Sequence, residues 1–172
     1  MYKRQGLLTS LGHRLTPLVP ALVQLKTETT LPRALKGIKI DAAIRLLAGE
    51  KELGKQTGEL LFTEYGVSGP PVFQLSRLAT ADERQDLALE IDFMPEYSPE
   101  YVAALLQQRR ERLGDFLLED FLTGFLQKRL GQVLLKACGI APLSRSCLLY
   151  TSFLSCSVVF CAGRNTAACA VC

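Results

Sequence analysis

Three groups of residues in this chain have types and spacings that could do chemistry. The first is Thr63-Glu64-Tyr65-Gly66-Val67-Ser68-Gly69-Pro70-Pro71. Gly66 and Gly69 can adopt positive φ and leave backbone N–H groups bare, which suits close approach to a ligand. The same glycines suit a tight turn at a strand end, and turns use them more often. The second group is Cys156, Cys161, Cys169 and Cys172, spaced C-x4-C-x7-C-x2-C. Four thiolates close a tetrahedral zinc site. Only the last pair has tight spacing, however, and the interval between pairs is shorter than a zinc ribbon's. The third is the acid pair Glu90 and Asp92 on one face of an alternating segment. Exposed, they serve solubility; they become a general acid and base only if the fold brings them to a cleft.

Other reactive types are sparse. His13 is the chain's one histidine, so any Ser-His or Cys-His catalysis would rest on it. No G-x-G-x-x-G and no P-loop occurs, and Gly54-Lys-Gln-Thr-Gly58 does not have a phosphate-binding spacing. Arg109-Arg110-Glu111-Arg112 is a charged helix face with an acid within it. With no tryptophan and no interleaving of basic and aromatic residues, nucleic acid is not an expected partner.

The elements that must position these groups follow from periodicity. Residues 18–25 form a short Val- and Leu-rich run that reads as a strand with Pro20 at an edge or bulge. Residues 35–47 read as a second strand region, with Ile38 and Ile40 on one face. Residues 48–54 read as the turn of a hairpin, and 59–63 as a third strand. Residues 65–71 read as a loop; 72–76 are too short to assign between strand and helix. Leu87, Leu89, Ile91 and Phe93 alternate with polar partners, as in a half-buried antiparallel strand. At Ser98-Pro99-Glu100 the period changes, with an N-cap, a proline at the first helical position and an acid in the first turn. Val102, Leu105, Leu106 and Leu113 make one helical stripe that Gly114 ends. Phe121, Leu122, Phe125, Leu126, Leu130, Val133 and Leu134 make another. Strands first and helices after predict an α+β fold, with a small antiparallel β-barrel-like part followed by a helical one.

Length and charge divide the chain. Its 172 residues are 48% hydrophobic and 22% charged, with net charge +3. That excludes a disordered chain and leaves room for a sizeable core. All 17 acids precede Cys138, whereas all six cysteines lie at or beyond it. Residues 146–163 carry no charge but are diluted by serines, at the margin of the length a spanning helix needs, so a membrane anchor is not expected. Nothing in the body directs secretion, and cytoplasm is the expected compartment. Met1-Tyr-Lys-Arg-Gln5 and Cys147-Leu-Leu-Tyr-Thr-Ser152 resemble translated adapter sequence at the ends of metagenomic gene fragments. The expected organisation is a non-native leader (1–6), a β-barrel-like domain (7–97), a helical subdomain (98–140) and a Cys-rich tail, non-native or disordered (141–172).

Gly58-Glu-Leu-Leu-Phe-Thr63, Tyr65-Gly-Val-Ser-Gly-Pro70 and Leu75-Ser76-Arg77 together resemble the GELLFT…G-x-SGP…L-x-x-S signature of the aminoacetone-oxidase-like, BaiN-type flavoproteins. Leu11-Gly-His13, Pro17–Leu22, Leu35-Lys-Gly37 and residues 129–136 fit the same family in order, so the resemblance spans about residues 7–140. It implies an FAD-dependent oxidoreductase in which a Rossmann-type FAD domain is interrupted by a β-barrel and a helical subdomain. This chain resembles the insert alone, so its expected partners are the missing Rossmann domain and, in the whole protein, a small-molecule substrate. FAD belongs to the full-length protein and none is expected for this fragment. The resemblance implies a cofactor- or substrate-facing loop at Thr63, Tyr65, Gly66, Ser68 and Gly69, and no catalytic residue. Glu64 stands where the family commonly has histidine. The alternative expectation is a free-standing binding module of barrel plus helical hairpin, with its Cys-rich tail as a zinc or membrane anchor.

Overall fold

The computed structural model describes residues 3–16, 18–81, 87–113, 121–137, 157–162 and 169–171. In chain order the elements are α1 (Lys3–Ser10), β1 (Leu25–Lys26), α2 (Thr30–Ala34), β2 (Lys39–Ala48), β3 (Lys51–Phe62), β4 (Gly66–Ser68), α3 (Pro70–Ala81), β5 (Leu87–Asp92), α4 (Pro99–Leu113), α5 (Lys128–Ala137), β6 (Ser157–Ala162) and β7 (Cys169–Val171). The fold is α+β, as expected. Strands β1-β4-β3-β2-β5 form a curled antiparallel half-barrel, and β6 and β7 extend the sheet beyond β5.

The centre is the β2–β3 hairpin, turned at Gly49-Glu50. Its register slips between Leu46 and Leu47, where Leu53 is the extra residue opposite them. Such a bulge increases the local twist, which curls the sheet. Inward residues of this hairpin and β5 (Ile44, Leu46, Leu60, Phe62, Leu89 and Ile91) are completely or almost completely buried. Helix α3 closes over β3 with Val72 and Leu75. Gly54 lets it come close: a Cβ there would lie 2.8 Å from Leu78 Cδ1 and 3.2 Å from Leu75 Cδ2. Leu130 and Leu134 of α5 join the same core. A second cluster, Val102, Leu106, Phe121, Leu122 and Leu135, joins α4 to α5, with Leu126 packed against both clusters.

Four readings of local sequence change or resolve. Residues 18–24 are irregular, and β1 is only Leu25–Lys26. Pro20 removes a ladder donor and Leu22 sits at φ 56, which a strand does not allow. Residues 51–54 are strand, not turn, and with 55–58 belong to β3, because pairing with β2 outweighs their polar composition. Residues 72–76 are helix, inside α3. β5 and the start of α4 are as expected: β5 alternates buried with half-buried, and Ser98 Oγ accepts the Tyr101 N–H at 3.2 Å. Of the second helical stripe, Phe121 and the residues of α5 from Lys128 on are helical, while residues 122–126 form turns with an isolated bridge between Thr123 and Leu126.

Of the tail, Cys161 lies in β6 and Cys169 in β7, directly next to one another's strands. Cys156, Cys172 and the rest of residues 138–156 and 163–168 lie outside the described residues. Among the described residues no group of His, Cys, Asp and Glu could hold a metal, and no helix is long and apolar enough to cross a membrane.

Candidate functional site

The segment Thr63–Gly69 leaves the end of β3, turns tightly and returns as β4. Thr63 closes the turn twice, donating its N–H to Gly66 O at 2.9 Å and its Oγ1–H to the same oxygen at 3.1 Å. β4 then threads between two strands: Val67 pairs with Leu25 of β1 and with Phe62 of β3. This crowding explains both glycines. Gly66 has φ 153, and a Cβ there would collide with Leu25 O and lie 2.9 Å from Thr27 N. Gly69 has φ 119, and a Cβ there would collide with Glu59 O. Their lack of a side chain lets neighbouring strands approach.

What the turn offers to solvent is narrow. Tyr65 at its tip is exposed, while its carbonyl accepts the Thr27 N–H at 3.1 Å. Thr63, Ser68 and Gly69 are half-buried and Gly66 is buried. Thus the five expected residues lie on one turn and its return strand, with Tyr65 the side chain that projects furthest into solvent. Glu64 is held by Lys36 Nζ at 2.9 Å. That hydrogen bond, with the charge of Lys36, holds the Glu64 carboxyl below its ordinary value of 4.5. A lowered folded pKa stabilises above the unfolded value and loses that stabilisation as pH falls through the folded one. Both side chains are exposed, so the effect is small and screened by salt. The stability difference between wild type and Glu64→Gln, from denaturant midpoints, is therefore expected to shrink from pH 6 to pH 3, and to be smaller throughout in high salt.

The acid pair sits elsewhere, on the outer face of the sheet. Lys55, Arg45 and Glu90 form one cross-strand row; Thr57, Ala43 and Asp92 form the next. Glu90 is bound to Arg45, whose guanidinium also lies 3.7 Å from Glu52. The Glu90 hydrogen bond keeps Arg45 above its ordinary pKa despite opposing desolvation. Asp92 accepts the Met94 N–H at 2.9 Å. The small side chain of Ala43 leaves a cleft of about 180 Å³ between this row and Pro99. Glu90 and Asp92 thus line a cleft, with Glu90 paired to the Arg45 guanidinium. The cross-strand partner of Glu90 could not be found from local spacing, because Arg45 is 45 residues away.

All named strand pairs are antiparallel, so the described strands form no βαβ unit. The helix after the glycine turn begins Pro70-Pro71, which lack N–H groups, and the Phe73 N–H is bonded to Gly69 O at 3.0 Å. A helix start of this kind has lost most of the donors that bind a pyrophosphate.

The sequence profile of the HI0933-like protein barrel and H2TH domain matches residues 19–152. This chain belongs to that family. The half-barrel of β1–β5 accords with the barrel of that description. The chain is also 36% identical over 127 residues to the 3-dehydro-bile acid delta(4,6)-reductase of Clostridium scindens. That alignment takes in 73% of this chain and 31% of the reductase, so the chain spans less than a third of the curated relative's length.

Proposed function

We propose that this HI0933-like chain is the insert of an FAD-dependent oxidoreductase, covering flavin and substrate in the whole protein and inactive by itself. The observation that carries the reading is the 36% identity to a reductase more than three times the length of the aligned region. The antiparallel sheet and the Pro70-Pro71 helix start support it, since both leave the cofactor to be held by another domain. FAD would supply hydride or electron transfer when bound to that domain. This chain's residues would exclude water and shape the substrate side. Thr63, Gly66 and Gly69 hold the turn rigid, and Tyr65 and Ser68 are the side chains it offers toward flavin or substrate.

The test has two arms. The full chain, dialysed against FAD, is expected to emerge colourless. Stoichiometric yellow cofactor would overturn the need for another domain. In the second arm, residues 3–137 replace the corresponding region of the Clostridium scindens reductase. The chimera is expected to fold and retain flavin through gel filtration; a chimera that folds without flavin would overturn the insert reading.

A further inference from the structure

Seven of the ten exposed large hydrophobics among the described residues lie in residues 7–22. Leu7, Leu11, Leu18 and Leu22 remain 63%, 68%, 69% and 70% exposed, and Leu8, Leu15 and Val19 are also open. Every other exposed large hydrophobic among the described residues is a tyrosine. Soluble chains rarely leave so many leucines in one contiguous stretch bare without a partner. Helix α1 has no more than marginal contact with any other described element, so its leucines are not part of either core cluster.

The segment after α1 is fixed in place. Thr80 of α3 donates its hydroxyl hydrogen to Pro20 O, and the Val23 N–H donates to Ser76 Oγ at 3.2 Å. Between these anchors Leu22 takes φ 56, a costly conformation for its side chain. Two hydrogen bonds to α3 hold residues 20–23 in position and keep Leu22 in its strained conformation.

Charge indicates what the face meets. Residues 1–27 contain Lys3, Arg4, Arg14 and Lys26, and the first acid is Glu28. Two copies meeting through this face would bring like charges together. An apolar surface edged with carboxylates would match it. The face also lies at the threshold of the family module, whose match begins at residue 19, and more than two thirds of the reductase lies outside the alignment. We infer that residues 7–22 are the surface by which this module seats on the rest of the flavoprotein, against an aliphatic patch rimmed by Asp and Glu; this rests on the insert reading above.

The test is Leu7→Gln/Leu11→Gln/Leu18→Gln, made in the full chain and in the reductase chimera. In the full chain the triple variant is expected to melt within about 2 °C of wild type, since exposed positions contribute little to stability. Its fluorescence with anilinonaphthalene sulfonate should fall to a small fraction of the wild-type signal. In the chimera the same substitutions should lower the melting temperature by several degrees and release flavin during gel filtration. A large melting loss in the full chain alone would overturn the inference, because the leucines would then belong to the module's own core. Undiminished dye binding would overturn it too. Binding of the full chain to phosphatidylglycerol vesicles, or a dimer that the triple variant breaks, would assign the face to lipid or to a second copy instead. A triple-variant chimera that keeps its flavin and melting temperature overturns this inference and leaves the insert reading standing. A wild-type chimera that folds without flavin overturns both.

Discussion

Gly66→Ala is expected to destabilise the chain by about 3 kcal/mol or more, a large part of the roughly 5–15 kcal/mol that holds a domain folded. Two costs combine. At φ 153 any side chain strains the backbone, at about 1–3 kcal/mol. The new methyl also meets Leu25 O, Lys26 Cα and Thr27 N, all backbone atoms of β1 and its exit. Backbone cannot swing aside as a side-chain tip does, so β1 must separate from β4, losing the Leu25–Val67 and Lys26–Gly66 pairs. Gly124→Ala provides the comparison. It has φ 93 but nothing within 4 Å of its Cβ, so it bears the strain without the collision. Urea midpoints should therefore rank wild type, Gly124→Ala and Gly66→Ala in decreasing order. Equal losses at Gly66 and Gly124 would remove the steric explanation and reopen a ligand-facing reason for Gly66.

The glycines of the turn were visible in the sequence alone, but their purpose was not. A three-residue strand is too short for periodicity, and β4 is a strand because β1 and β3 grip it from both sides. Residues 51–58 were hidden for a related reason. Lys51-Glu-Leu-Gly-Lys-Gln-Thr-Gly58 is polar because much of that stretch is solvated, and only its pairing with β2 makes it strand. The apolar run at 18–25 points the opposite way: Leu18, Val19 and Leu22 are exposed, and only Leu25 enters the sheet and packs against the core. By contrast, β5 and the α4 start carry their own signals, in strict alternation and in the Ser98 cap. The glycine spacing marks the loop at residues 63–69 and the family resemblance supplies its role, whereas its supports, Thr27, Lys36 and Leu25, are distant in sequence and emerge only from the fold.

Phe62→Ala is expected to cost about 3–5 kcal/mol, the usual range for emptying a phenylalanine site in a core. Phe62 is 1% exposed and ends β3 one residue before the turn. Its ring lies 6.4 Å from that of Phe93, tilted by 35°, which ties the end of β3 to the exit of β5. Its backbone is fixed as well: Phe62 N–H donates to Ile38 O at 3.0 Å, and Gly37 N–H donates to Phe62 O at 2.9 Å. These bonds persist after truncation, so the backbone cannot easily collapse into the space and the cavity term stays large. Phe62→Leu keeps most of the apolar volume but loses the ring pair, worth about 0.5–1.5 kcal/mol. A double-mutant cycle with Phe93→Leu should return a coupling of that size. Tyr65→Ala, three residues on at an exposed tip, should change stability by no more than about 0.5 kcal/mol. The contrast separates the two roles at this site. If Tyr65→Ala proved as destabilising as Phe62→Ala, Tyr65 would be a structural support rather than a side chain free to meet flavin or substrate. If Phe62→Ala cost less than about 1 kcal/mol, the turn would not rest on the closed core described for it. The expected order, a severe loss at Phe62 and almost none at Tyr65, is that of a rigid wall presenting one free aromatic side chain.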